Sequence, residues 1–450
     1  MEPRRRALII SYYFAPQNTI GAVRPTKFAK YLTRMGYEVT VLCGAGMTEE
    51  KDPTLARDLK ELRDVRVVRE WNPLRGHKAR KNRKAKAAGA EGGPDAARQD
   101  SPRPARKGGG LARRVADAAY LYLWMLSDRS FRRRAARELN RLDGVYDAVF
   151  STYAPLSVHE VAREAKRRGL AKRWIADFRD EVNMSFTWQK GWRERYLRMV
   201  REHADIITAV SEGLLETMGL SGLGNKLSNG FDREDLRGLG AVKAKENGRF
   251  QVCYCGQLRM GRKGIGDRDL TPFFHALRGM IDEGCLREEE LSLVYAGDEG
   301  GVFTAYAAEY GLDTRVEDHG RVTRERSLAL QQSADVLLMA SWNMAGQTGI
   351  LTGKLFEYMM MEKPIVCCMA GDLGGSELRR VLEETGMGFC HEQARAGEDA
   401  PALKAYLRTL ISRWREDQPL LLSNRNAKET DYSYPGLTQK LARWIEEPIR

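Results

Sequence analysis

The sequence predicts an α/β protein built from two Rossmann-like, doubly wound domains that face a cleft. Three observations predict it. Short apolar runs recur along the chain, helical patterns lie between them, and a polar, glycine-rich stretch at 229–248 parts them into two series. At 450 residues the chain has room for two or three domains. With 42% hydrophobic and 30% charged residues, each domain can bury a sizeable core.

The first series opens with Ala7-Leu8-Ile9-Ile10, a continuous apolar run of the kind that forms a parallel strand covered on both faces. Phe28, Tyr31, Leu32 and Met35 then recur at helical spacing, with Pro25 near the helix start and Gly36 just past its end. Further strands are expected at 39–42, 147–150, 174–176 and 205–210. The second series supplies strands at 250–255, 291–296, 334–340 and 364–368. The expected division is a first domain over 1–235 and a second over 236–432. A terminal helix at about 433–450 is expected to pack back on the first.

Residues 75–114 break the pattern. They are dense in Lys, Arg, Gly, Ala and Pro without an apolar period, the composition of a loosely ordered insertion. Directly after it Leu111, Val115, Ala118, Ala119, Tyr122, Leu123 and Leu126 form a helical stripe. Arg113 and Arg114 precede the stripe, and Arg132, Arg133 and Arg134 follow it. An apolar face with aromatics and flanking arginines suits a helix lying in an anionic membrane surface. It also suits a helix packed on the first domain beside a solvated basic loop.

The net charge of +13 calls for an acidic partner: nucleic acid, an anionic membrane or a phosphorylated ligand. Nucleic acid is disfavoured, because the basic tract lacks interleaved aromatics. The seven cysteines are odd in number, most lie in apolar runs, and no secretory leader pattern opens the chain, so a reducing, cytoplasmic setting is expected. Cys253-Tyr254-Cys255 has no second ligand pair, so no metal site is expected. No run reaches the roughly 18 apolar residues of a membrane span.

The chemistry concentrates in Thr348-Gly349-Ile350-Leu351-Thr352-Gly353-Lys354-Leu355-Phe356-Glu357-Tyr358, which follows an apolar strand and opens a helix. Backbone N–H groups at a helix start bind phosphate. Gly349 and Gly353 let the backbone come close. Lys354 and Glu357 share a helix face, one able to meet a diphosphate and the other to accept from two ribose hydroxyls. Spacing alone does not distinguish this grip from an ordinary surface Lys–Glu pair. A second cationic, glycine-rich loop, Gly256 to Gly264 with Arg259 and Lys263, follows the first strand of the second domain. It lacks the Walker order, and no G-x-G-x-x-G turn follows the chain's first strand. In the first domain Gly21 and Arg24 sit at a strand's carboxyl end, and Asp177-Phe178-Arg179-Asp180 ends another. That acidic cluster is either a site or a structural pin for loops.

Together these motifs resemble the GT-B glycosyltransferases, specifically the retaining family 4, over nearly the whole chain. Tyr13-Phe14-Ala15-Pro16 with Gly21-Ala22-Val23-Arg24 looks like that family's opening loop. Asp177 to Asp180, Ala209-Val210-Ser211-Glu212, Ser228 to Asp232, Tyr295 to Asp298 and His319 to Val322 follow in order. Thr352 to Tyr358 with Lys363-Pro364-Ile365 is the most specific piece. It resembles the branch that builds bacterial surface polysaccharide.

The resemblance implies transfer of a hexosyl or N-acetylhexosaminyl unit from a nucleotide-diphosphate sugar, a UDP-sugar, to a lipid-linked, polyprenyl-diphosphate saccharide. It implies no metal and no cofactor beyond the donor. The location implied is peripheral, on the cytoplasmic face of the membrane. Glu357 would bind the ribose, backbone at Ile350 and Leu351 would meet the diphosphate with Lys263 and Arg259 neutralising it, and Gly349, Thr352 and Lys354 would complete the donor site. Gly21, Arg24 and Asp180 would line the catalytic side. Two departures stand out. Gly349 occupies the position where many members carry a donor-sugar glutamate, and Gln257 stands where many carry an arginine. The rival readings are a nucleotide-sugar epimerase and a non-catalytic nucleotide-sugar-binding module.

Overall fold

The computed structural model describes residues 4–46, 51–73, 111–182, 190–239, 248–258, 268–421 and 425–447. The chain divides into two compact units. One comprises the residues up to Val210, Leu214–Ser228 and the residues from Tyr434 onward. The other comprises Ser211–Gly213 and Asn229–Ser433.

The first unit is a seven-stranded parallel sheet of β1 (Arg6–Ser11), β2 (Glu38–Gly44), β3 (Asp64–Val68), β4 (Ala148–Tyr153), β5 (Trp174–Phe178), β6 (Ile206–Ala209) and β7 (Gly224–Lys226). Its order is β3-β2-β1-β4-β5-β6-β7. Ala7 of β1 lies opposite Val39 of β2 and Ala148 of β4, so the apolar run beginning at Ala7 sits in the centre of the sheet. Leu8, Ile9 and Ile10 are fully buried, each stabilising the fold by roughly 1.5–3 kcal/mol. The helices are α1 (Ile20–Arg34), α2 (Pro53–Leu59), α3 (Leu111–Glu138), α4 (Ser157–Arg167), α5 (Lys190–His203) and α6 (Glu212–Thr217). The start of α2 shows its local logic: Pro53 opens it, and the Asp52 carboxylate accepts from the N–H groups of Thr54 and Leu55.

The second unit is a six-stranded sheet of β8 (Phe250–Cys255), β9 (Leu291–Ala296), β10 (Val316–Asp318), β11 (Val336–Trp342), β12 (Ile365–Ala370) and β13 (Gly388–Glu392), in the order β10-β9-β8-β11-β12-β13. Its helices are α7 (Thr271–Asp282), α8 (Gly300–Ala308), α9 (Arg324–Ser333), α10 (Gly353–Met361), α11 (Glu377–Thr385), α12 (Ala396–Arg415) and α13 (Arg425–Tyr432). The last helix, α14 (Tyr434–Glu446), belongs to the first unit. There Leu437 and Leu441 join the core and Tyr434 packs edge-on against Phe28 at 5.8 Å.

Both sheets are doubly wound, as the alternating pattern predicts. In each, the strand order reverses at one point: between β1 and β4 in the first, between β8 and β11 in the second. Ligands of open parallel sheets bind outside the carboxyl ends of strands at such points. The basic stretch 75–110 lies outside the described residues. The helix after it packs differently from the expected stripe. Leu121, Phe131 and Ala135 are buried and Leu123 and Trp124 rest on the core, while Tyr122 of the stripe is 61% exposed and Ala118 and Ala119 face out. The packed ridge runs Leu121, Trp124, Asp128, Phe131, Ala135, in steps of three and four. Burial of Phe131 sets the helix's rotation, and the sequence stripe stopped short of that residue.

Candidate functional site

In the second unit the switch point is occupied by the loop after β8 and the turn between β11 and α10. Gly349 has φ +68°, in the left-handed region that glycine takes without a side-chain clash. The N–H of Leu351 donates to the Gly349 carbonyl at 3.0 Å, closing the turn that carries Gly349, Ile350 and Leu351 into the helix. Thr352 is the N-cap residue of α10, yet its side chain caps nothing. Its Oγ1 is buried without a hydrogen-bond partner. One residue into the helix, Lys354 extends its chain beneath Gly256. A Cβ there would collide with the Lys354 Cε and Nζ. The ammonium stands 4.2 Å from the centroid of the Tyr254 ring, an arrangement that stabilises a cation modestly. It too is buried without a hydrogen-bond partner. Burial, and then the nearby Arg268 guanidinium, pull the Lys354 pKa down to about 7.

Glu357 lies on the same face of α10. Its Oε1 accepts from Gln331 Nε2 at 2.6 Å, which fixes the carboxylate, and Gln331 itself is buried on α9. Arg268 donates to the Gln257 carbonyl and sits 5.8 Å from the ring of Trp342, the last residue of β11. Sequence motifs did not mark Arg268, Gln331 or Tyr254. Each acts through position in space: Tyr254 and Arg268 flank the Gly256 to Gly264 loop without belonging to its cationic motif. Arg259 and Lys263 lie outside the described residues.

The first unit's switch point has a different character. Asp177 is fully buried near the carboxyl end of β5 and accepts from Thr152, Thr208 and Arg24. Arg24 is 2% exposed. Its Nε and Nη2 grip Asp177 at 2.9 and 2.7 Å, Nη1 donates to the Ser228 carbonyl and Nη2 also to that of Leu227. All three nitrogens are engaged within the unit, so Arg24 ties α1 to β5 and to the chain after β7. Gly21 is buried in the first turn of α1, and a Cβ there would collide with the Arg179 guanidinium. Arg179 is held by the Tyr153 carbonyl at 2.7 Å and lies over the Tyr13 ring, but its Nη1 is buried without a partner. Asp180 is half-exposed, with its carboxylate 3.9 Å from Arg179 Nε. The structure thus places Gly349, Ile350, Leu351, Thr352, Lys354 and Glu357 together at one switch point. Gly21 and Arg179 meet at the other.

The chain's six histidines include His159, which is a core residue. Its Nδ1 is 2.8 Å from Ser151 Oγ, it stacks on Tyr196, and burial drives its pKa down to about 3.

No protein-family model matches this chain, and no curated protein does. Solved structures do. The N-terminal domain of trehalose-6-phosphate phosphatase from Candida albicans is 14% identical, with a TM-score of 0.59 over 99% of this chain and 97% of that one. A trehalose-6-phosphate protein from E. coli, bound with UDP-2-fluoro glucose, is 11% identical with a TM-score of 0.57 over 99% of each chain. Sucrose-phosphate synthase from Thermosynechococcus elongatus is 14% identical with a TM-score of 0.54 over 98% of each. At such identities the likeness is one of fold: two parallel-sheet α/β units of the GT-B class.

Proposed function

We propose that this protein is a glycosyltransferase that moves a sugar from a nucleotide-diphosphate sugar to a saccharide acceptor. The observation that carries the reading is the pair of unpartnered buried groups, Thr352 Oγ1 and Lys354 Nζ, at the start of α10 and the β8/β11 switch point. An unpaired buried cation costs several kcal/mol. An anion resting on the helix N-terminus would meet both groups and the helix dipole at once. Glu357, fixed one turn on by Gln331, is placed to take the ribose hydroxyls of the same nucleotide.

In this mechanism the diphosphate is the leaving group. Its charge grows as the glycosidic bond breaks, and Lys354 with the α10 N–H groups stabilises that growth through a preorganised field. Ile350 and Leu351 present backbone to the phosphates, and Gly349 lets it approach. Arg259 and Lys263 complete the neutralisation. Within the first unit, Gly21 and Arg179 are read as lying at the catalytic side. Arg24 and Asp180 serve there as positioning residues. A UDP-sugar donor is supported by the fold relative held with UDP-2-fluoro glucose. We read the reaction as retaining and the acceptor as lipid-linked, because the motifs resemble that family and the chain carries a net charge of +13.

Substituting Glu357→Ala should lower donor affinity and transfer by roughly 10–100-fold, the scale of one or two lost charge-assisted hydrogen bonds. Calorimetric titration with UDP-sugars and a turnover assay would read it. Unchanged donor affinity and turnover would remove the proposed nucleotide site. An epimer formed from donor alone would favour an isomerase instead.

No described helix is long and apolar enough to cross a membrane. The membrane reading rests on α3, whose Tyr120 and Tyr122 are 39% and 61% exposed, and on the basic insertion. Deleting 78–107 should reduce co-sedimentation with phosphatidylglycerol vesicles. Equal sedimentation of the deleted and full chains would remove that role for the insertion.

A further inference from the structure

The turn after β8 is flanked by two cations. Gly256 takes φ +118°, a backbone position that favours glycine. Its N–H donates to the Ala296 carbonyl at 2.7 Å, and its own carbonyl accepts from the Tyr295 hydroxyl at 2.9 Å. The Gln257 carbonyl accepts from the Tyr254 hydroxyl at 3.0 Å and from Arg268 Nη1. Lys354 lies beneath Gly256 and Arg268 reaches Gln257, so consecutive residues of one rigid turn carry an ammonium and a guanidinium.

Arg268 is fixed at both ends. Its carbonyl accepts from the Tyr306 hydroxyl of α8 at 3.3 Å, and its guanidinium stands 5.8 Å from the Trp342 ring centroid at the end of β11. The bond to Gln257 uses one of the guanidinium's five N–H groups. Among the described residues the others have no hydrogen-bond partner, and no carboxylate pairs with Arg268. The two cations repel each other. Arg268 is second only to burial in lowering the Lys354 pKa, ahead of the opposing pull of Cys255, Glu357 and Glu299. Like charges pinned to one turn by other contacts disfavour the empty site and favour an anion that meets both. A guanidinium edge takes two phosphate oxygens in one plane, and an ammonium takes an oxygen as a point charge. A diphosphate carries enough oxygens to engage the two together.

We propose that Arg268 is a diphosphate-binding residue of the donor site, meeting phosphate oxygens beside Lys354 across the Gly256-Gln257 turn. The assignment rests on the sugar-transfer reading above and adds a residue that lies outside the cationic loop motif. Gln257 stands where many members of the resembled family carry an arginine. Arg268 brings a guanidinium back to that same turn from beyond the loop's far end.

The experiment titrates the full chain by calorimetry with UDP, GDP and ADP, and by saturation-transfer NMR with uridine, guanosine and adenosine. At least one diphosphate should bind the wild type. Arg268→Met should weaken it by roughly 10–100-fold, the scale of one charge-assisted contact. Affinity for the matching nucleoside and the melting temperature should stay near wild type. Arg268→Lys, which keeps a charge and loses the planar fork, should fall between the two. Proton uptake on diphosphate binding at pH 8 should shrink in Arg268→Met, because Lys354 then keeps more of its proton in the empty site. Diphosphate affinity unchanged in both variants, or a nucleoside weakened as much as its diphosphate, would overturn the role of Arg268 and leave the donor site standing on Lys354 and Glu357. If no nucleoside diphosphate binds the wild type, the sugar-transfer reading falls together with it.

Discussion

Each sheet carries a buried cation near the start of a helix at its switch point, and the two are treated in opposite ways. Arg24 in the first unit is 2% exposed and fully engaged by Asp177 and two carbonyls. Lys354 in the second has its ammonium buried over a tyrosine ring without a hydrogen-bond partner. A satisfied buried ion pair holds structure together. An unsatisfied buried cation stores an electrostatic cost that a ligand can relieve. The proposed glycosyl transfer would use the second kind of group against the donor diphosphate and the first kind to hold residues in place. The contrast separates residues that look alike in sequence, since both are cations in the first turns of a helix within three residues of a glycine.

The largest expected effect tests the satisfied member. Arg24→Met removes one half of a buried pair and strands Asp177 among Thr152 and Thr208. Breaking such a pair costs about 3–5 kcal/mol. At roughly 2–4 °C per kcal/mol for a unit of this size, the first unit's melting temperature should fall by about 6–20 °C. Donor affinity measured below the transition should not change. If Arg24→Met melts like wild type but loses transfer, Arg24 faces the substrate and the contrast with Lys354 collapses.

That contrast also explains which parts of the molecule were legible in sequence. Central strands were, because burial on both faces demands unbroken apolar runs such as Leu8-Ile9-Ile10 and Val252 to Cys255. Edge strands were not. β7 is Gly-Asn-Lys, and β10 is Val-Glu-Asp with two exposed residues, so neither carries a pattern. The turn before α10 was legible because a glycine there marks a left-handed backbone position, and Gly349 does adopt φ +68°. The roles of Arg24 and Arg179 were not. Which one bonds internally depends on where β5 and α1 meet, a long-range fact that leaves no local mark. The stripe on α3 misled because periodicity gives a helix's faces but not which one packs. Phe131 and Ala135 decided that.

The smaller effects test the unsatisfied member. Lys354→Met keeps the length of the chain beneath Gly256 and removes the charge. Nucleotide-diphosphate affinity should fall by roughly 10–100-fold, the scale of one charge-assisted contact. The ligand-free second unit should melt at least about 2–4 °C higher, since the cost of an unpaired buried cation is gone. The pH dependence follows from the direction of the shift. In the folded chain the Lys354 pKa is down at about 7, against 10.5 when exposed. Between those values the unfolded chain holds more protons, so Lys354 makes stability rise with pH across that window. The gain from Lys354→Met should therefore be widest at and below pH 7 and should close toward pH 10.5. A bound diphosphate reverses the shift by favouring the ammonium. At pH 8, where the free site is mostly neutral, UDP binding should draw up to about one proton from the buffer. Calorimetry in buffers of differing ionisation enthalpy would read this uptake, and Lys354→Met should abolish it. Uptake that survives the substitution would assign the proton to another group and leave Lys354 outside the diphosphate site.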